Sequence, residues 1–312
     1  HTWDHACRHV GFLKVTDHGV PNDTIQAAWD ASTHFFQQPL HYKRAAPMTD
    51  TYPYGYQGIG VENLQSSLDR AADANPGDIK EMFNCCLGGP RADPTLPAPV
   101  WPPDSTPMQQ AYADYYRALE RLAATLYRVC ALALSLPADW FEQYTDSHRN
   151  VIRAIYYPEQ LVSPKPGQVR ASTHTDYGSL TLLRLGGSHS GGLQAMDRTG
   201  AWISVDVAPG EDAFCVNLGD LMARWTNDRW LSTPHRVINP EGEDAKGARQ
   251  SIAYFCNINM DASVECIPTC RGADGSSRYG VLTAGEHLMQ KHQATVEGKL
   301  CYEAVPASEA YA

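Results

Sequence analysis

The sequence predicts a mainly β protein with flanking helices, built around an antiparallel barrel or jelly roll, and three observations carry that reading. After about residue 148, six short segments rich in β-branched or aromatic residues follow one another, separated by Gly, Pro and Asp turns. One long amphipathic stretch, Thr106 to Pro137, precedes them. The first third of the chain reads as helices joined by loops.

Taken in order, Asn22 or Asp23 can cap a helix running from Thr24 toward Gln37, which Pro39 stops. Residues 47–60 are rich in Pro, Gly and Tyr without a helical period and read as an ordered loop. A second loop from Gly88 to Thr106 holds too many prolines to be helical. The clearest helix follows, with Thr106 as its cap, Pro107 in its first turn and Gln109 completing a capping-box pattern. Tyr112, Tyr115, Leu119, Leu122, Leu126, Val129 and Ala133 recur at three- and four-residue spacing, so one face is buried.

The six strand candidates are Val151–Tyr157, Ser179–Leu185, Ala201–Val207, Ala213–Leu218, His235–Ile238 and Arg249–Ile258. A last helix is expected over Thr283–Val296, outside the barrel. This divides the chain into a mostly helical region, 1–147, and a β core with its terminal helix, 148–312, expected to form one compact unit.

The chain has 312 residues, 43% of them hydrophobic and 19% charged, which is ordinary globular composition. A formal charge of -10 repels phosphate backbones and anionic lipid, so neither nucleic acid nor a membrane surface is an expected partner. No apolar run approaches bilayer-spanning length; His1-Thr2-Trp3-Asp4 shows no signal-peptide pattern, and with no initiator Met a targeting segment upstream stays open. Nine cysteines, an odd number with several inside apolar runs, suit free thiols in a reducing compartment, and a cytoplasmic location is expected. Cys266 and Cys270 lack the further ligands that a structural zinc needs.

Chemistry concentrates in two patterns. His174-Thr175-Asp176 places an imidazole and a carboxylate two residues apart, which in an extended segment means one face. His235 follows on another expected strand. Two imidazoles and one carboxylate form the facial ligand set of oxygen-activating iron(II), with coordination positions left open. Arg249-Gln250-Ser251 repeats the two-residue spacing beside the apolar run Ile252-Ala253-Tyr254-Phe255. A guanidinium in such surroundings needs an anion, and its planar fork suits a carboxylate.

Longer stretches resemble the isopenicillin N synthase-like branch of the iron(II)/2-oxoglutarate-dependent oxygenases. They are Cys7-Arg8-His9-Val10-Gly11-Phe12, Asp17-His18-Gly19-Val20, Gly77-Asp78-Ile79-Lys80-Glu81, Tyr157-Pro158 and His174-Thr175-Asp176-Tyr177-Gly178-Ser179-Leu180-Thr181. Gly191-Gly192-Leu193-Gln194, Asn217-Leu218-Gly219-Asp220, Trp225-Thr226-Asn227, Ser232-Thr233-Pro234-His235-Arg236-Val237 and Arg249-Gln250-Ser251 continue them in order.

The resemblance implies a double-stranded β-helix core, jelly-roll or cupin-like, with an N-terminal helical region and a C-terminal helix. It implies that His174, Asp176 and His235 ligate iron. Arg249 and Ser251 would hold the distal carboxylate of 2-oxoglutarate, with the Tyr157 phenol joining them. Ile155 stands where many relatives have Asn, so one polar contact would be lost. The Gly186–Ser190 insertion would be slightly longer than usual. The family's first strand, ahead of the Cys7 helix, has no counterpart in the sequence.

Lys80 and Glu81 match an ion-pair position on the wall near the site. His18 would serve the fold, and Trp225 and Asn217 would be packing and turn residues. Candidates for the substrate pocket are Phe83, Asn84, Tyr54, Tyr56, Arg184, Phe255 and Asn257, with Tyr52 in the same aromatic cluster.

The implied reaction couples oxidation of 2-oxoglutarate by O2, giving succinate and CO2, to hydroxylation of a small-molecule metabolite, with ascorbate stimulating. Desaturation, ring formation, fragmentation of 2-oxoglutarate, cosubstrate-free oxidation and an inactive binding module are the other outcomes such a barrel allows. The expected state is a monomer or a weak homo-oligomer.

Overall fold

The computed structural model describes residues 2–49, 53–62, 64, 77–160, 163–186, 191–208, 210–239 and 247–297. Tyr52 and most of the Gly186–Ser190 insertion lie outside these residues.

Helix α1 (Thr2–His9) leads into β1 (Phe12–Val15), then α2 (Asn22–Gln37) and a single helical turn, α3 (Leu40–Lys43). Strands β2 (Gly55–Gln57) and β3 (Glu81–Cys85) precede the long helix α4 (Thr106–Ala133). The β core follows as β4 (Val151–Tyr157), β5 (Ala171–His174), β6 (Leu180–Gly186), β7 (Leu193–Met196), β8 (Trp202–Ser204) and β9 (Phe214–Leu218). Helix α5 (Asp220–Trp225), β10 (His235–Val237), β11 (Arg249–Cys256), β12 (Ser263–Val264), β13 (Leu282–Thr283) and α6 (Ala284–Glu297) complete the chain.

The strands form a seven-stranded sheet in the order β1-β9-β6-β11-β4-β3-β2 and a facing sheet in the order β5-β10-β7-β8, with β12-β13 as a small ribbon. All named pairings are antiparallel. This is the expected double-stranded β-helix core. Strand alternation divides the large sheet into two faces. Ile152, Ala154, Leu180, Leu182, Phe214, Val216, Ile252 and Tyr254 join α2 and α4 in the main core. Tyr157, Leu185, Cys215 and Val237 pack in a second cluster between the sheets.

Helix α4 buries the stripe its spacing predicts, with Tyr112, Tyr115 and Leu119 fully inaccessible. Its cap is one residue earlier than expected. Ser105 holds the cap position, and the Gln109 amide donates to the Ser105 hydroxyl at 3.1 Å. Helix α2 likewise starts at Asn22, behind Pro21, while the Asp23 carboxylate accepts from the Thr24 amide.

The first third is not only helix and loop. Strands β1, β2 and β3 extend the large sheet, β1 on β9 and β3 on β4. Residues 47–60 contain β2, which pairs with β3. Short strands in a Pro/Gly-rich stretch leave no long periodic run, and their partners are distant in sequence. The terminal helix α6 lies against the cleft described below, and His287 Nε2 donates to the Tyr177 carbonyl at 2.9 Å.

Candidate metal centre and adjoining cleft

His174 ends β5, His235 opens β10, and the antiparallel register sets them opposite each other. Asp176 is not on the strand. It lies two residues beyond β5, in the irregular turn that leads to β6. One ligand-capable atom from each of the three falls within 4.8 Å of the others, and no other His/Cys/Asp/Glu group among the described residues does this. Asp176 Oδ1 is 3.8 Å from His235 Nε2 and 4.0 Å from His174 Nε2.

The remaining polar atom of each side chain is already engaged. His174 Nδ1 donates to the Ser172 carbonyl at 2.8 Å, and His235 Nδ1 to the Thr233 carbonyl at 3.0 Å. A carbonyl only accepts, so Nδ1 carries the proton and Nε2 presents its lone pair. Asp176 Oδ2 accepts from Thr181 Oγ1 at 2.6 Å and Asn217 Nδ2 at 2.7 Å, which leaves Oδ1 facing the imidazoles. Asn217 thus orients the Asp176 carboxylate from β9 rather than forming a turn, while Trp225 packs against Trp140 and Phe141.

Burial and the neighbouring His235 pull the His174 imidazole down to about 3. Burial alone would raise the Asp176 carboxyl. The two imidazoles, then Asn217 and Thr181, outweigh it and hold the group below the usual carboxylate range. The set presents two imidazole nitrogens and one carboxylate oxygen, and it suits a divalent iron with open positions.

The turn carrying Asp176 is pinned from two sides. The Asp220 amide donates to the Asp176 carbonyl at 2.7 Å. A Cβ on Gly219 would meet the Gly178 carbonyl at 2.2 Å, so only glycine permits this approach. From the N-terminal region, Asp78 Oδ1 accepts from the Ser172 amide at 3.0 Å and the Ser172 hydroxyl at 2.6 Å, steadying the residue whose carbonyl holds His174. Buried Lys80 bridges Asp78 at 3.0 Å and Glu62 at 2.7 Å.

Lys80 and Glu81 therefore do not pair with each other. Adjacent on the chain, they serve different partners, and Glu81 binds Lys43 and the Tyr56 hydroxyl instead. Local spacing carries no signal for Asp78, Ser172 or Thr181 in these supporting contacts, although Asp78 lies in the Gly-Asp-Ile-Lys-Glu stretch and Thr181 in the stretch that begins at His174.

At the other end of the barrel interior, Arg249 and Tyr157 are register partners on β11 and β4. The Arg249 guanidinium lies 4.8 Å from the Tyr157 ring centroid, and its Nη1 donates to Ser251 Oγ at 3.5 Å. All three are buried.

A cleft of about 330 Å³ opens beside His174 and Asp176. Of the substrate-pocket candidates, Tyr54, Phe255, Asn84 and Asn257 line it, with Glu62 and Arg153 at its polar side. Phe83 does not. One residue before Asn84, it points the opposite way, into a core of Phe35, Trp101 and Tyr112. Tyr56 turns to Glu81. Arg184 lines a separate hollow with Trp29 and Asp212, paired to Asp212 at 2.8 Å. His18 joins the same Asp212 at 3.0 Å and accepts from the Val20 amide, a fold role. Cys266 and Cys270 are buried free thiols, with Cys266 donating to the Ile267 carbonyl.

Residues 2–107 match the model of the non-haem dioxygenase in morphine synthesis N-terminal region, and residues 148–258 match that of the 2OG-Fe(II) oxygenase superfamily. The chain is 32% identical to a homoarginine-6-hydroxylase of Oryza sativa subsp. japonica, covering 92% of this chain and 86% of that protein. It is 32% identical to a proline hydroxylase of Petromyces alliaceus, covering 88% and 86%. A full-length Neurospora crassa protein, crystallised in complex with alpha-KG, superposes with a TM-score of 0.81 at 32% identity, covering 94% of this chain and 89% of that one.

Proposed function

The chain belongs to the 2OG-Fe(II) oxygenase superfamily, and from that membership we propose the roles of its individual residues. It is an iron(II)- and 2-oxoglutarate-dependent oxygenase acting on a small molecule. His174 Nε2, His235 Nε2 and Asp176 Oδ1 hold the iron. The observation that carries this is the convergence of three ligand atoms whose side chains are otherwise engaged. Arg249, Ser251 and Tyr157 hold the distal carboxylate of 2-oxoglutarate.

Iron bound there supplies the oxidation of 2-oxoglutarate by O2 to succinate and CO2, and the oxidising power for a substrate C–H bond. The chain's own work is positional. Ser172 and Thr233 fix the imidazole tautomers, Thr181 and Asn217 aim the carboxylate, and Arg249 orients the cosubstrate. Phe255, Leu64 and Leu288 give the cleft apolar walls that limit water near the reacting carbon.

The cleft's charged groups pair among themselves or with neighbours: Glu62 with Lys80 and Arg153, and Arg149 with Asp93. With hydrogen-bonding groups but no spare charge among the described lining residues, the cleft favours a small, uncharged polar substrate. The Neurospora crassa protein has been crystallised with thymine and with 5-formyluracil, compounds of this kind. Homoarginine and proline, named for other relatives, carry charges that this cleft does not balance.

No helix among the described residues is long and apolar enough to cross a membrane. A cytoplasmic, monomeric or weakly associating enzyme fits this reading. The test is succinate formation with iron(II), 2-oxoglutarate and ascorbate across thymine, 5-formyluracil, homoarginine and proline. Stimulation by an uncharged pyrimidine, a product heavier by one oxygen and a further gain from ascorbate are expected. Stimulation by homoarginine or proline alone would overturn the charge argument.

A further inference from the structure

Two buried guanidiniums, not one, share the Tyr157 ring. Arg249 approaches from β11 in the large sheet with its guanidinium carbon 4.8 Å from the ring centroid. Arg170 comes from the residue immediately before β5 in the facing sheet, at 5.9 Å from the same centroid. Both arginines are 2% exposed.

Arg170 has no carboxylate partner among the described residues. Its Nη2 donates to the Gly247 carbonyl at 2.9 Å, two residues before Arg249, and its Nε has no hydrogen-bond partner among the described residues. Burial and the neighbouring Arg249 both pull its pKa below the usual guanidinium range. Two like charges in a dry site are costly unless an anion joins them. Among the described residues its hydrogen bond is to a neutral carbonyl, which does not balance the second charge.

We propose that Arg170 is a second cationic determinant of cosubstrate binding, a positioning residue whose charge acts across Tyr157 on the distal carboxylate held by Arg249 and Ser251. Its effect is selectivity: 2-oxo acids with a distal carboxylate are favoured over those of equal length that end in a methyl group. This rests on the assignment of Arg249 to the cosubstrate, and the test separates the two.

Calorimetry on nickel(II)-loaded protein, with 2-oxoglutarate and 2-oxopentanoate as probes, reads the effect without turnover. Arg170→Gln keeps a donor for Gly247 and removes the charge. It should weaken 2-oxoglutarate on the order of tenfold while leaving 2-oxopentanoate within about twofold, and Arg170→Lys should recover most of the loss. Unchanged 2-oxoglutarate affinity in Arg170→Gln overturns the proposal, as does equal weakening of both probes, which would mark a structural role.

A second measurement needs no Arg170 variant to fold. Arg249→Gln should still prefer 2-oxoglutarate over 2-oxopentanoate, because Arg170 remains. Loss of all preference there contradicts the proposal. If Arg249→Gln binds 2-oxoglutarate as tightly as wild type, the cosubstrate assignment itself fails, whatever the Arg170 variants show.

Discussion

His174 and His235 are directly opposed across the β5–β10 pair, with ring centroids 4.3 Å apart. Strand pairing, rather than proximity in sequence, brings the two imidazoles to one point. Asp176 reaches the same point from a turn that Thr181, Asn217 and Gly219 hold in shape.

The first prediction concerns that support. Asn217→Ala removes a donor to Asp176 Oδ2 without touching a ligand. Iron(II) affinity, measured by anaerobic titration, should fall about 10–100-fold, the usual cost of losing such a partner. Affinity within about twofold of wild type would show that Thr181 alone suffices.

The second concerns the anion site. Arg249→Ala leaves a bound carboxylate without a charge-assisted partner worth on the order of 2–4 kcal/mol. The 2-oxoglutarate concentration for half-maximal succinate formation should rise at least about thirtyfold. An unchanged requirement would move the cosubstrate carboxylate elsewhere.

A third prediction follows from Glu62. Burial would raise its carboxyl, but Lys80 and Arg153 hold it down at about 2. The folded value lies below the unfolded one, so the stabilisation is complete above about pH 4.5 and is lost as pH falls toward 2. By denaturant titration, wild type should exceed Glu62→Gln in stability near neutral pH by on the order of 1–3 kcal/mol. That gap should close in acid, and a gap independent of pH between 6 and about 3 would contradict the assigned pairing.

The fourth tests the helical buttress. Leu119 on α4 is fully buried against the large sheet's outer face. Leu119→Ala should cost about 2–5 kcal/mol of stability, read as a shift in denaturant midpoint at unchanged slope. A loss below about 0.5 kcal/mol would mean the helix does not share the sheet's core.

Much of this architecture is legible in the residues, and the exceptions have physical causes. Val151–Tyr157 is a run of β-branched and aromatic residues and forms a strand over those residues. Ala171–His174 and Leu193–Met196 lack such a run, and their strand state comes from pairing with β10. Sequence spacing places Asp176 beside His174, but a turn rather than one strand face sets its direction. Alternation likewise decides between Phe83 and Asn84, since neighbouring residues on β3 cannot both face the cleft. Arg170 and Asp78 act through contacts between segments far apart in the chain, which local pattern cannot reveal.

The most direct test of the metal centre is an anaerobic titration with iron(II) and 2-oxoglutarate, followed by visible absorption. Wild type should bind one iron per chain and develop a weak charge-transfer band when 2-oxoglutarate is added. His174→Ala should lose both. A wild-type chain without the band, or a His174→Ala chain that keeps it, would contradict iron held by His174, Asp176 and His235.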